Sequence, residues 1–292
     1  MKKLMRIAQI LALAGGAVGF LLRIWFLAIG PDKKGLYPTD HISWILVCVL
    51  SVLVLAAIWV LSYLADSGRG KQNQCPTPFY SVAGWLVAGI AMALYSIGIL
   101  MTPGWLNTLT GLLCLASGLV LILDTGLRLA DQKIPIAPHM LPCFFFAMQL
   151  FRLGQIFGSE PEMCRYLFRF LADFAMIPAC YWLWSFDVEL GFCQKRLQWT
   201  MIALYCNLVA MASSGQWLFR ACIVLWLLSS MPDLRYRPQR LRHVPEPAEQ
   251  PAAVPAAPED VVPQVADHKP AVADIEPILE QILKEFGAES QS

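Results

Sequence analysis

Residues 72–123 carry no charged side chain, and residues 42–64 are likewise uncharged. That absence constrains the fold more than any motif in the chain. About 20 helical residues cross a hydrocarbon core of roughly 30 Å, so such runs read as membrane spans. A helix is the expected form, because it satisfies its backbone hydrogen bonds within the segment. The rest of the chain agrees. Apolar residues fill 57% of 292 positions and charged residues 15%, where a soluble domain has about 25% charged residues.

The apolar pattern predicts an all-α protein, a polytopic transmembrane bundle of about eight spans. They fall at residues 7–29, 42–64, 79–101, 105–123, 140–157, 167–186, 197–213 and 217–231. Two connections are very tight, Thr102-Pro103-Gly104 and Ser214-Gly215-Gln216. Pro and Gly there stop one helix and turn the chain. Lys2, Lys3 and Arg6 precede the first run, as in a signal peptide. Cleavage at Ala12-Leu13-Ala14 would leave an apolar core of only residues 7–11, which is too short. An uncleaved first span is therefore expected. The Met-Lys-Lys start points to a bacterial protein of the inner or sole cell membrane.

Orientation follows from Lys and Arg in the loops. With the N-terminus inside, the cytoplasmic segments hold Lys2, Lys3, Arg6, Arg69, Lys71, Arg128, Lys133, Lys195 and Arg196. Arg235, Arg237, Arg240 and Arg242 follow the last span on the same side. The external loops hold mainly Lys33 and Lys34, with Arg165 near a span end. Both termini are expected in the cytoplasm. A parallel four-plus-four duplication would relate Leu22-Arg23-Ile24 to Phe151-Arg152-Leu153. It would also relate Trp59-x-x-Ser62-Tyr63 to Trp182-x-x-Ser185-Phe186, and Gly104-Trp105-Leu106 to Gly215-Gln216-Trp217-Leu218. Membrane proteins are often built from such repeats.

Three regions are expected: a transmembrane domain over 1–234, a basic juxtamembrane segment and linker over 235–273, and a tail helix over 274–288. The linker is rich in Pro and Ala and too poor in large apolar residues to bury a core, so disorder is expected. In the tail, Asp274 is placed to cap a helix. Ile275, Ile278, Leu279, Ile282 and Phe286 then share one face, while Glu276, Glu280, Lys284 and Glu285 lie elsewhere. An amphipathic helix on a long leash has the form of a helix-in-groove ligand. Its acidic polar face argues against an anionic membrane surface. Arg235, Arg237, Arg240 and Arg242 suit that surface instead, at about 1 kcal/mol per residue.

Ionisable residues within spans are the second candidate site. Arg23, Arg152, Asp173 and Arg220 all fall in the outer half of their spans. Charges at such depth usually face a bundle interior or a wet cavity. An Arg152–Asp173 pair across adjacent antiparallel helices is geometrically reasonable, which leaves Arg23 and Arg220 to hold an anion such as a lipid headgroup, carboxylate or phosphate. Guanidinium suits those groups because its fork binds them bidentately. Against this stands snorkelling of Arg near a helix end to the interface.

Other chemistries find little footing. The nine cysteines form no C-x-x-C pair and read as small buried hydrophobes, with Cys164 placed in an external loop. The loop bearing Asp32, Asp40 and His41 reads as a turn rather than a metal site. No nucleotide loop, nucleophile elbow or zinc motif is present, so no metal or cofactor is expected. No aromatic-interleaved basic patch points to nucleic acid. The leading expectation is a non-enzymatic membrane adaptor or sensor that recruits a cytosolic protein through its tail helix. The alternative is a transporter or permease for a small solute or anion, using the intramembrane Arg and Asp residues. An enzyme acting on lipid ranks third.

Overall fold

The computed structural model describes residues 2–30, 37, 41–66, 79–130, 140–157, 163–185, 193–212 and 215–231. Among them are eight helices and no strand: α1 (Lys2–Ile29), α2 (Ile42–Asp66), α3 (Phe79–Leu100), α4 (Trp105–Leu129), α5 (Leu141–Phe157), α6 (Met163–Ser185), α7 (Cys193–Ala210) and α8 (Trp217–Ser229). The linker, the arginines at 235, 237, 240 and 242, the tail-helix face from Ile275 to Phe286 and most of the loop before His41 lie outside the described residues.

Four helices contain stretches long and apolar enough to cross a membrane: Arg6–Ile29, Ile42–Leu64, Val82–Leu100 and Trp105–Leu127. The other four differ in ways the sequence explains. α5 has 17 residues and α8 has 13. At 1.5 Å per residue, α8 is about 20 Å long, short of a hydrocarbon core. α6 includes Arg165, Arg169 and Asp173, and α7 opens on Gln194, Lys195 and Arg196. Both start earlier than the apolar pattern indicates, because their charged first turns continue the helix. Cys164 therefore sits in the first turn of α6 and not in a loop.

The apolar core is continued by an apolar outer face, unlike that of a soluble bundle. Val52, Leu53, Leu94 and Leu123 are each more than 60% exposed. Arg23, Asp173, Asn207 and Arg220 are fully buried. Large apolar side chains outside and polar ones inside suit a hydrocarbon surround, where the usual cost of exposing apolar surface to water disappears.

α7 is the hub. It packs against α1, α2, α6 and α8, and every residue from Met201 to Asn207 is buried. From α3 to α8 each helix packs against the next, and α8 returns to α3, closing a ring of six. The α1–α2 pair docks on α7 outside that ring. α3 holds the place of α7 in the first half, yet it packs on α4 and α8 alone among these contacts. The two halves thus share helix order without sharing neighbours.

Small residues set the closest approaches. A Cβ on Gly15 would lie 2.8 Å from Val54 of α2, and one on Gly16 would lie 2.6 Å from Leu208 of α7. α3 and α4 approach backbone to backbone: a Cβ on Gly89 would lie 2.8 Å from the Gly118 carbonyl, and one on Gly118 would lie 2.7 Å from the Gly89 carbonyl. The α3–α4 turn closes through Gly104 at φ +129°, and the α7–α8 turn through Gly215 at φ +98°. Both angles favour glycine, which has no Cβ to clash.

The glycine contact yields a direct test. Gly118→Val should force α3 and α4 apart, because the obstructing atoms are backbone. An overpacking cost of about 1–3 kcal/mol is expected. Gly98→Ala should be neutral, since a Cβ there meets nothing within 4 Å. Thermal unfolding in detergent, followed by tryptophan fluorescence, separates the two; equal melting temperatures would refute the close-approach argument.

Candidate functional site

Polar side chains collect at the end of the bundle that carries the α3–α4 and α7–α8 turns. Tyr95 lies in the last two turns of α3 and Asn107 in the first turn of α4. Gln149 and Arg152, three residues apart, share a face of α5. Arg169 and Asp173, four apart, share a face of α6. Asn207 comes from the last turn of α7, and Gln216 and Arg220 flank the first turn of α8. Residues three or four apart on a helix point the same way, so each helix presents one short polar stripe.

Two networks result. In the first, Arg152 Nε donates to Asn107 Oδ1 at 2.6 Å and Arg152 Nη1 donates to Gln149 Oε1 at 3.3 Å. Gln149 Nε2 then donates to the Tyr95 hydroxyl at 3.2 Å. Gln216 Nε2 donates to the same hydroxyl. The Tyr95 ring stacks on Phe219 of α8 with centroids 4.3 Å apart. In the second, Arg220 Nη1 lies 2.7 Å from Asp173 Oδ1 and donates to Asn207 Oδ1 at 3.0 Å. Arg169 has Arg220, Tyr95, Asp173 and Arg152 as electrostatic neighbours, which places it between the two.

The expected Arg152–Asp173 pair is not the one formed. Asp173 pairs with Arg220. α6 lies between α5 and α7, and Asp173 meets Arg220 of α8 beside Asn207 of α7. Arg152 is held by neutral amides on α4 and α5 instead. Arg23 stands apart from both networks. Its Nη1 donates to the Cys164 carbonyl at 2.9 Å, and its guanidinium lies 5.0–5.7 Å from the rings of Phe26, Trp44 and Phe168. It is an aromatic-caged strut between α1, α2 and α6. Of the four intramembrane candidates, Arg152, Asp173 and Arg220 are brought together and Arg23 is not.

Sequence reasoning missed Tyr95, Asn107, Gln149, Arg169, Asn207 and Gln216. Five of these are uncharged. One signal was available: Asn107 and Gln216 each fall within three residues of a turn glycine, where a helix starts facing the same end of the bundle.

The opposite end of the ring is built differently. Trp85 of α3 meets Trp184 of α6 edge-on at 4.6 Å and Trp226 of α8 at 6.3 Å. Trp85 Nε1 donates to Ser230 Oγ at 3.1 Å, and Arg196 Nη2 donates to the Ser230 carbonyl at 3.1 Å. Aromatic bulk fills this end where amides and guanidinium fill the other.

No protein-family model, curated protein or solved structure matches this chain. The arrangement must therefore be read from its own chemistry. Three guanidinium groups, one carboxylate and five neutral hydrogen-bonding side chains share one end of the bundle. That inventory suits the recognition of an anion by charge and directed donors.

Removing one member of the buried pair should be costly. Asp173→Ala leaves Arg220 as an uncompensated charge, and a loss of about 3–5 kcal/mol is expected. Adding Arg220→Met to the same chain should recover much of it, since a buried pair replaced by apolar groups is often neutral. Melting temperatures of the two single variants and the double variant give the coupling directly. Additive losses would show that the pair is not a unit.

Proposed function

We propose that this chain is a non-enzymatic membrane receptor whose bundle recognises a small anion and whose C-terminal segment recruits a cytosolic protein. The observation that carries the reading is the presence of Arg152, Arg169 and Arg220 with a single carboxylate, Asp173, at one end of a bundle with an apolar exterior. Charges at membrane depth are expensive and tend to mark a functional path or pocket. The Lys and Arg bias of the loops supports a topology of eight crossings with both termini in the cytoplasm, in which the bilayer would thin at the 13-residue α8. The polar end then faces outward. The tail supports the output role through its face of Ile275, Ile278, Leu279, Ile282 and Phe286, and the arginines at 235, 237, 240 and 242 would hold its start at anionic lipid.

A second reading is favoured by one feature. The closed ring α3–α8 is polar at one end and plugged by Trp85, Trp184 and Trp226 at the other. A permease resting in an outward-facing state would look the same, and Pro178 inside α6 supplies a point of flexure.

Two measurements separate these readings. Purified protein in liposomes is offered radiolabelled acetate and phosphate. Binding without uptake supports the receptor, and uptake abolished by Arg152→Gln replaces it with the permease. Affinity purification from native membranes then compares the full chain with one ending at Ala273. A cytosolic protein retained only by the full chain is expected; identical partner lists would remove the output role. Reporter fusions after Leu64, Asp131, Phe157 and Pro238 test the topology, and an external C-terminus would overturn it.

A further inference from the structure

Arg220 uses only part of its donor set. Its Nη1 serves both Asp173 and Asn207, whereas Nε and Nη2 have no hydrogen-bond acceptor among the described residues. The side chain is 2% exposed. Asp173 is equally under-used. Its Oδ1 is close to Nη1, yet neither carboxylate oxygen takes a directed hydrogen bond. Buried donors and acceptors are rarely left so, and each such group carries the full cost of its desolvation. Around this pair Asn207 Nδ2 donates to the Ala203 carbonyl at 2.8 Å and Gln149 bridges Tyr95 and Arg152, while Gln216 Oε1 is a further buried acceptor without a hydrogen-bond donor among the described residues.

The geometry matters as much as the count. Nε and Nη2 form one edge of the planar guanidinium, and two parallel N–H groups on such an edge match the two oxygens of a carboxylate or phosphate. We propose that the Nε/Nη2 edge of Arg220 is the site that takes the anion, bidentately, and that Asp173 is a resident counter-ion that competes with it. The inference deepens the receptor reading and rests on it. It fixes the ligand class as an oxyanion with two adjacent oxygens, either a free carboxylate or phosphate or a lipid headgroup phosphate. Asp173 keeps Arg220 neutralised when no anion is present, and an arriving anion loosens that pair. Because the pair ties α6 to α8 across α7, which packs against both, loosening it bears on how α7 is held between them.

The test uses the full-length protein in nanodiscs and calorimetric titration with acetate and with inorganic phosphate at constant ionic strength. Arg220→Lys keeps the charge and removes the fork; binding should weaken about tenfold or more. Asp173→Asn keeps the shape and removes the competitor; binding should strengthen by about tenfold. The opposite sign of the two effects is what a purely structural ion pair does not produce. Discs of phosphatidylcholine alone and discs containing phosphatidylglycerol separate the two sources. Titration in phosphatidylcholine discs supports a free anion. Retention of phosphatidylglycerol through purification, lost in Arg220→Lys, supports a headgroup. Wild-type affinity in Arg220→Lys, or weakened binding in Asp173→Asn, overturns this site while leaving the receptor reading intact. Absence of both probe binding and lipid retention in the wild type overturns both. Each variant decides alone, so misfolding of one leaves the other informative.

Discussion

The Asp173–Arg220 ion pair is the contact around which the polar half of the bundle is organised. Removed from water, each charge alone would cost several kcal/mol. Together they need one another, and they need helices that hold them close. Arg220 sits in the first turn of α8, directly after the Gly215 turn, so its position is fixed by where α7 ends. Asn207 from α7 completes the set. One ion pair thus ties α6, α7 and α8 together at a single level. Where helices meet in lipid they gain little from hydrophobic contact with each other, and association there rests on close packing and interhelical hydrogen bonds.

The remaining adhesion comes from fit. Gly15, Gly16 and Gly19 bring α1 against α2 and α7, and Gly89 and Gly118 bring α3 against α4 until backbone meets side chain or backbone. Ser51 of α2 and Tyr205 of α7 add a hydroxyl pair at 2.8 Å. These contacts place α7 in the middle with apolar and polar neighbours at different heights. Its sequence records that position: Gln198, Thr200 and Asn207 are buried in a helix that would look poorly apolar as a lipid-facing span. The hydroxyl of Thr200 and the amide of Asn207 turn back to carbonyls one turn earlier, which satisfies them within the helix.

Much of this was readable from the chain, and the failures have physical causes. Uncharged runs located α2 and α3 closely, because a lipid-facing helix has few ways to be anything other than apolar, whereas α1 starts five residues before its apolar run and α4 ends six residues after its own. The starts of α6 and α7 were misjudged by four residues, since Arg165, Lys195 and Arg196 were taken as loop markers although each continues a helix. The charged residues of the site were visible as misfits in apolar runs. Their partners were not. Pairing depends on which way each helix is rotated about its axis, and an apolar chain says little about rotation. Asp173 could be matched to Arg152 by adjacency alone, and rotation gave it to Arg220. Neutral groups such as Tyr95, Gln149 and Gln216 were invisible for a related reason: an amide in a span is inexpensive enough to pass without notice.

The two ends of the ring show why recognition is a better description of this chemistry than adhesion. A bundle built only for stability gains from close packing, and the Trp85–Trp184–Trp226 end is packed mainly by aromatic rings, with the Arg196 guanidinium held on the Ser230 carbonyl. At the other end the same helices carry three arginines to one aspartate, Arg152 and Arg169 half-buried and Arg220 and Asp173 buried, and the Nε/Nη2 edge of Arg220 has no acceptor among the described residues. That arrangement is costly in the resting protein. Conformations with such costs persist where the surrounding structure holds them for a purpose that relieves the cost. Here an oxyanion would supply the two acceptors that Nε and Nη2 lack. On the proposed reading, the pair that stabilises the bundle is also the one an oxyanion would act on, so stability and response would rest on the same two side chains.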